Sequence, residues 1–169
     1  MTTEVPIKIQ PLSPAHAASI VTFTCGVKFI DAYLRQGYDL EEANFARLFI
    51  AVDAADKTQV VGYYALHMMH IEARQTPATI SRNLHPDAVV GAAHVVNFAV
   101  RKDFQSSGIG TDLFRSALKR VKGVSKDVGT WAVVLDALND DAERFYRRFG
   151  FDTLVSNTRH LYLPVSAIA

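Results

Sequence analysis

The segment from Val95 to Val121 constrains the fold of this chain most strongly. The apolar run Val95-Val96-Asn97-Phe98-Ala99-Val100 is typical of a strand, and the glycine-bearing loop Gln105-Ser106-Ser107-Gly108-Ile109-Gly110 follows it. Apolar residues then recur at helical spacing from Ile109 to Val121, which predicts an amphipathic helix. A loop at a helix start presents free backbone N–H groups, and these groups attract anions together with the helix dipole. The segment therefore predicts a phosphate-binding turn.

The two glycines of this loop fit a bulky diphosphate. Gly108 and Gly110 lack a Cβ, so the backbone can approach such a ligand closely. No Gly-Lys-Ser/Thr follows, which excludes a Walker loop, and the three-glycine dinucleotide fingerprint is absent. For this segment taken alone, a plain helix N-terminus with glycine turns is the alternative.

The remaining periodic segments predict a mixed α/β domain with a partly antiparallel sheet. One helix is expected around Phe29 to Leu34, with Asp31 and Arg35 facing outward and Gly37 as its stop, and a second over Leu40–Ala46. Strands are predicted at 48–52, 59–69, 95–100, 131–138 and 159–163, the first two forming a hairpin.

A last helix is expected after residue 138. Asn139 should cap it, Ala142, Phe145 and Phe149 should face the core, and Gly150 should end it. Tyr146 should then lie at the edge of the packed face.

Length, charge and cysteine content set the class of protein. The 169 residues fit one domain, which we predict over 1–169, and the formal net charge of +1 neither demands nor excludes a nucleic-acid partner. The single cysteine, Cys25, cannot form an internal disulfide and is expected half-buried at a turn, so a reducing cytoplasm is the simplest location. We expect neither a signal peptide nor a membrane span.

No metal site is expected. His67 and His70 lie three apart in a predicted strand and so point to opposite faces, and the other four histidines are scattered along the chain.

Two motifs resemble those of the GNAT superfamily of N-acetyltransferases. Gln-x-x-Gly-x-Gly, after a strand that ends in Ala-Val, resembles its acetyl-CoA loop. The run of Asn139, Ala142, Phe145-Tyr146 and Phe149-Gly150-Phe151 resembles the motif that follows the next strand of that superfamily. The resemblance implies the GNAT acyl-CoA N-acyltransferase fold, with a central, mostly antiparallel sheet that splays at the acetyl-CoA site between flanking helices. It also implies acetyl transfer from acetyl-CoA to a primary amine.

The same resemblance assigns roles to individual residues. It implies that the pyrophosphate is held by amides of the loop, namely Gln105, Ser106, Ser107, Gly108, Ile109 and Gly110, with a hydroxyl added by Thr111. The backbone of Phe98, Ala99 and Val100 would pair with the pantetheine arm, and the Val100 amide would polarise the thioester oxygen. Asn139, also a simple helix cap, and Phe145 would contribute to the same site.

Tyr146 is the candidate catalytic residue. A phenol can donate its proton to the leaving thiolate as a general acid, although a core aromatic residue is the alternative. No general base stands out, because Glu72 and Asp136 are candidates only by charge type and a water could serve instead.

A narrower resemblance is to GNAT toxins of bacterial toxin–antitoxin systems. It rests on Phe23-Thr24-Cys25-Gly26, the helix from Phe29 to Leu34, the strand from Val61 to Leu66 and the segment from Arg82 to Asp87. This likeness implies acetylation of the α-amine of an aminoacyl-tRNA, a ribbon-helix-helix antitoxin and a homodimer. Two alternatives remain open: an acetyltransferase of a small-molecule amine or protein N-terminus, and a non-catalytic acyl-CoA-binding module.

Overall fold

The computed structural model describes residues 5–156 and 158–169. In chain order its helices are α1 (Ala17–Thr22), α2 (Lys28–Arg35), α3 (Gly37–Glu42), α4 (Ala78–Ser81), α5 (Ile109–Val124) and α6 (Asp140–Arg147). Its strands are β1 (Ile7–Pro11), β2 (Arg47–Asp53), β3 (Val60–Glu72), β4 (Val89–Val100), β5 (Ala132–Asp136), β6 (Asp152–Thr153) and β7 (His160–Pro164).

The first of two compact units comprises the residues up to His67 and Val96–Ala117. Strands β1, β2 and β3 pair antiparallel within it. One face of these strands packs on apolar side chains of α1 and α2, with Ile20 and Leu34 buried. The other face packs on the stripe Ile109, Leu113 and Ala117 of α5. This four-residue spacing is the one that predicted the helix.

The second unit comprises Met68–Val95 and Leu118–Ala169. Strand β5 pairs parallel with β4 and antiparallel with β7, which also pairs with β6. A parallel pair needs a long crossover between its strands, and α5 lies in the connection from β4 to β5. Hydrogen bonds link the seven strands in the order β1-β2-β3-β4-β5-β7-β6. The predicted mixed α/β class with a mostly antiparallel sheet and flanking helices is confirmed.

The parallel ladder between β4 and β5 is short. Its pairs run only from Ala92↔Ala132 to His94↔Val134. Strand β4 continues to Val100 and β5 to Asp136.

Helix α2 lies in the predicted place, but its orientation differs from the prediction. Asp31, expected to face outward, is only 6% exposed, and Phe29 is 60% exposed. The reason is that Asp31 accepts hydrogen bonds from the preceding turn, which a buried carboxylate needs. Gly37 follows the end of α2, as predicted, but α3 begins at the same residue, and a Cβ at this position would lie 2.7 Å from a Leu48 methyl group.

The orientation of α6 also differs from the prediction. Tyr146 is its buried residue, whereas Phe145 and Phe149 are half-buried. The Phe145 ring instead contacts the rings of Tyr146 and Phe149 and lies under the guanidinium of Arg148. Strand β1 was not predicted, because its apolar residues are few and its stability depends on pairing with β2. Among the described residues, no helix is long and apolar enough to cross a membrane.

Candidate functional site

The loop before α5 has the backbone conformation of an anion-binding nest. Ser106 (φ 64°) and Gly108 (φ 86°) are both left-handed, and the hydroxyl of Ser107 donates to the carbonyl oxygen of Phe104. Within residues 5–156 and 158–169, no hydrogen bond to another backbone group is found for the amides of residues 106 to 110. These N–H groups lie at the positive end of the α5 dipole, so the loop can bind a phosphate group.

A cleft of about 730 Å³ opens at this loop. Ser107, Gly108 and Thr111 line it on the loop side, and apolar residues of β1 line the opposite wall. A Cβ at Gly108 would meet no atom within 4 Å, so the space in front of this glycine is open. Arg115 also lines the cleft and forms an ion pair with Asp112 at 3.6 Å. The cleft therefore offers room, free amides and one cation to an extended phosphate-bearing ligand.

Gln105, the first residue of the motif, anchors the loop to the rest of the unit. Its amide donates to the carbonyl oxygen of Lys102 over 3.4 Å. Its side-chain nitrogen donates to the carbonyl oxygens of Cys25 and Val100, at 2.9 and 3.0 Å. The amide of Lys102 also donates to the carbonyl oxygen of Thr24 at 2.9 Å. The sequence pattern assigned only the backbone of Gln105 a role and missed this side-chain anchor.

Asp31 holds the turn to which Gln105 is bonded. Its two carboxylate oxygens accept from the Thr24 hydroxyl and the Cys25 amide, each at 2.8 Å. Burial raises the pKa of Asp31, but these hydrogen bonds outweigh burial and lower it overall. Burial and the neighbouring Asp31 raise the pKa of Cys25 to about 11, so Cys25 is a protonated thiol at neutral pH. A half-buried Cys25 at a turn was predicted, whereas the role of Asp31 was missed.

Gly62 of β3 allows the close approach of β4. A Cβ on Gly62 would lie 2.9 Å from the carbonyl oxygen of Ala99 and 3.0 Å from a Leu113 methyl carbon. Phe98, Ala99 and Val100, the residues predicted to bind the pantetheine arm, thus lie in a backbone segment whose position requires glycine in the neighbouring strand.

Asn139, Phe145 and Tyr146 belong to the second unit. The side chain of Asn139 caps α6 by accepting from the Ala142 amide at 2.9 Å, as predicted. Tyr146 is 8% exposed and contacts the rings of Phe145 and Phe151. Burial raises the pKa of Tyr146. Its phenol therefore keeps its proton at neutral pH.

Two histidines that are far apart in the sequence meet at Asp136, the last residue of β5. His160 Nδ1 lies 2.8 Å from one carboxylate oxygen, and His94 Nε2 lies 3.8 Å from the other. The histidines expected to be scattered thus include a pair in one cluster. Across the described part of the chain, no group of three or more His, Cys, Asp or Glu side chains is suited to hold a metal ion.

Three features are typical of an acetyltransferase fold: the anion-binding loop between a strand and a helix, the close approach of β4 to a glycine, and the capped α6. The family comparison agrees with this class. The chain belongs to the acetyltransferase (GNAT) family, whose model matches residues 20–151. This membership confirms the superfamily resemblance drawn from the two motifs.

Two curated relatives are toxins. The chain is 27% identical over 168 residues to the probable toxin TacT of Sinorhizobium fredii (strain NBRC 101917 / NGR234), covering 95% of this chain and 92% of that protein. It is 29% identical over 154 residues to the tRNA-acetylating toxin of Mycobacterium tuberculosis (strain ATCC 25618 / H37Rv), covering 90% of each chain. The narrower resemblance to GNAT toxins is confirmed by these two proteins.

Solved structures give the same fold. A tyrosine-to-phenylalanine mutant of KacT superposes with a TM-score of 0.87 at 26% identity, covering 96% of both chains. AtaTR bound with acetyl-CoA superposes with a TM-score of 0.81 at 25% identity, covering 96% of this chain and 95% of that chain.

Proposed function

We propose that this protein transfers the acetyl group of acetyl-CoA to the α-amine of an aminoacyl-tRNA and thereby acts as a translation-blocking toxin. The observation that carries the proposal is the row of amides at residues 106 to 110, of which residues 107 to 109 line the cleft at the start of α5. Acylation of the amine removes the nucleophile that peptide-bond formation requires.

The donor site is proposed to use the backbone of one segment. The amides from Ser106 to Gly110 hold the pyrophosphate, Thr111 adds a hydroxyl, and Arg115 adds a cation that lines the cleft. The backbone of Phe98 to Val100 aligns the pantetheine arm, as an added strand pairs with a sheet edge. The AtaTR complex supports the choice of acetyl-CoA, because that neighbour holds it on the same fold.

Tyr146 is proposed to act at the leaving sulfur. Its raised pKa keeps the phenol protonated over the working pH range, so the hydroxyl can donate to the thiolate as the carbon–sulfur bond breaks. The raised pKa also makes the phenol a weaker acid, so it donates its proton as the carbon–sulfur bond breaks and not earlier. Asn139 and Phe145 are proposed to lie along the pantetheine arm.

The acceptor is proposed from the relatives. The mycobacterial protein is named for the acetylation of tRNA, and the likeness to it extends over nine-tenths of both chains. The α-amine of an aminoacyl ester suits direct attack, since an α-amine titrates near pH 8 and is partly neutral at physiological pH, unlike a lysine amine.

Four further properties follow from this proposal. A toxin of this kind requires neutralisation, for which the resemblance implies a ribbon-helix-helix antitoxin. The resemblance also implies a homodimer. The two proposed substrates support a cytoplasmic location. All 169 residues are proposed to form one catalytic domain.

A labelled-acetyl transfer assay tests the proposal. Purified protein is incubated with radiolabelled acetyl-CoA and a set of charged tRNAs, and with spermidine and N-terminal peptides at equal amine concentration. We expect label in charged tRNA that base hydrolysis of the ester releases as N-acetyl amino acid. Uncharged and N-formylated tRNA are the matched controls and should remain unlabelled. Acetylation of a polyamine or peptide with unmodified tRNA would refute the tRNA acceptor, and absence of acetyl-CoA binding by calorimetry would refute the donor site.

A further inference from the structure

We propose that His160, oriented by Asp136, is the general base that accepts a proton from the acceptor nitrogen. This inference rests on the proposed acetyl transfer and adds a catalytic residue to it. The sequence offered Asp136 as a candidate base only by charge type and His160 only as one of several scattered histidines.

The cluster is a product of strand register. Asp136 lies directly opposite His160 in the antiparallel β5–β7 pair, so their side chains share one face of the sheet. His94 is the parallel partner of Val134, which lies two residues before Asp136 and therefore has its side chain on the same face. Three strands thus direct an imidazole, a carboxylate and a second imidazole to one place.

The hydrogen bond to Asp136 orients the imidazole of His160. Asp136 Oδ1 lies 2.8 Å from His160 Nδ1, so the tautomer with its proton on Nδ1 satisfies the carboxylate. The lone pair is then on Nε2, and the carboxylate stabilises the imidazolium that forms when Nε2 takes up a proton. His94 Nε2 lies 3.8 Å from Oδ2 and marks the β4 side of the cluster.

The cluster lies where the ladder between β4 and β5 ends. His94 is in the last pair of that ladder, and Asp136 is two residues beyond it. Four residues after His94, the same strand carries Phe98, where the proposed pantetheine-binding segment begins. The side chains of His160 and Asp136 are 22% and 66% exposed, so both are accessible to an acceptor and to water.

In the part of the chain that the structure describes, charged groups on the segments next to His160 have partners of their own. Arg159, its neighbour in sequence, forms ion pairs with Asp140 and Glu143 of α6. On β6, Asp152 lies opposite Tyr162 of β7, whose pKa is raised by burial and by that carboxylate. Within the described ranges, Asp136 is hydrogen-bonded to the imidazole, and the second carboxylate oxygen of Asp136 lies 3.8 Å from His94 Nε2.

The proposed step balances in atoms and electrons. The neutral amine nitrogen forms a bond to the thioester carbonyl carbon, and the π pair of the carbonyl moves to its oxygen. The nitrogen becomes positively charged and passes one proton to Nε2 of His160. The oxygen pair then re-forms the carbonyl as the carbon–sulfur bond breaks, the electron pair of that bond goes to sulfur, and sulfur takes a proton from the Tyr146 hydroxyl. Water then returns a proton from the His160 imidazolium to the Tyr146 phenolate, so no net proton is consumed.

Chemical rescue tests this assignment. In His160→Ala, kcat should fall about 100-fold, which is within the usual range for loss of a general base. Added imidazole should restore part of the lost kcat. The acid limb of the pH–rate profile should then reflect the titration of the added imidazole. Asp136→Asn should lower kcat less, because an amide orients the ring without stabilising its positive charge. His85→Ala, which removes an exposed histidine elsewhere that also lies beside an aspartate, is the matched control and should leave kcat unchanged.

The outcomes separate this inference from the proposed function. The assay uses the acceptor that the wild-type protein acetylates, whether charged tRNA or another amine, so a failure of the tRNA proposal leaves the histidine test intact. Unchanged kcat in His160→Ala would overturn the assignment. A loss of kcat that is equal at every pH, is insensitive to imidazole and is matched by a lower melting temperature would also overturn the assignment. His160→Gln, which is closer in size, is the second variant should the alanine variant not fold; an unchanged kcat or acid limb in it would overturn the assignment equally.

Discussion

The side-chain nitrogen of Gln105 lies 2.9 Å from the carbonyl oxygen of Cys25, eighty residues earlier in the chain. The same nitrogen donates to Val100 at the end of β4. One amide thus joins the turn before α2, the end of the proposed pantetheine strand and the first residue of the phosphate-binding loop.

Loss of that amide should loosen the loop. Gln105→Ala removes two neutral hydrogen bonds, so we expect a destabilisation of about 2 kcal/mol and weaker acetyl-CoA binding in calorimetry. Gln105→Glu should destabilise the protein and weaken acetyl-CoA binding more than Gln105→Ala, because a carboxylate would face two carbonyl oxygens. Gln36→Ala, at an exposed glutamine, is the control and should match the wild type. Equal acetyl-CoA affinity in all four proteins would contradict an anchoring role.

Asp31 should make stability depend on pH. Because its pKa is lower in the folded protein, its contribution is full above the unfolded pKa of about 4 and is lost as the pH falls through the folded pKa. Asp31→Asn should destabilise by about 3 kcal/mol at pH 7, as hydrogen bonds to a charged group are replaced. The difference from the wild type should shrink below pH 4 in urea titrations. Asp39→Asn, at an exposed aspartate, should show neither effect, and a difference that is constant with pH would contradict the assignment.

Substitution of Gly108 should lower the acetyl-CoA affinity more than it lowers the stability of the fold. Alanine in its left-handed conformation costs about 1 kcal/mol, and the new methyl group would enter the open space in front of the loop. We expect Gly108→Ala to weaken acetyl-CoA binding at least tenfold. Gly26 has φ 96° and equally open surroundings, so Gly26→Ala carries the same backbone strain outside the loop, in the turn that Gln105 contacts. If both variants lose the same affinity, the effect of Gly108 is one of folding only.

Gly62→Ala should displace β4. The added Cβ would lie within 3.0 Å of both the Ala99 carbonyl oxygen and a Leu113 side chain, and such overpacking costs about 1–3 kcal/mol. We expect a lower melting temperature together with weaker acetyl-CoA binding. Gly123→Ala, at an open position in α5, should instead stabilise the protein slightly. A crystal structure of Gly62→Ala with an unmoved β4 would refute the steric argument.

Tyr146→Phe should separate binding from turnover. Removal of the hydroxyl takes away the proposed acid, so kcat should fall about 100-fold or more while the acetyl-CoA affinity changes less than about threefold. Tyr38→Phe is the control, since its hydroxyl donates to the Ser13 carbonyl oxygen and should affect stability but not kcat. Undiminished turnover in Tyr146→Phe would exclude the tyrosine from the chemistry.

The sequence by itself determined the local features of the site. Glycines at 108 and 110, the apolar stripe of α5 and the capping Asn139 depend on neighbours within a few residues, and each lies where the pattern predicted it. The mixed α/β class followed from the order of these elements, and the family followed from the resemblance of the two motifs.

Only the tertiary structure decided which side chains meet across strands and turns. The burial of Asp31, the exposure of Phe29 and the reversal of Phe145 and Tyr146 depend on what packs against each helix, and helical periodicity alone did not predict these contacts. The meeting of His94, Asp136 and His160 depends on strand register between segments far apart in the chain. Local patterns fix the position and type of an element, whereas long-range pairing fixes the orientation of its side chains, and the proposed base depends on that pairing.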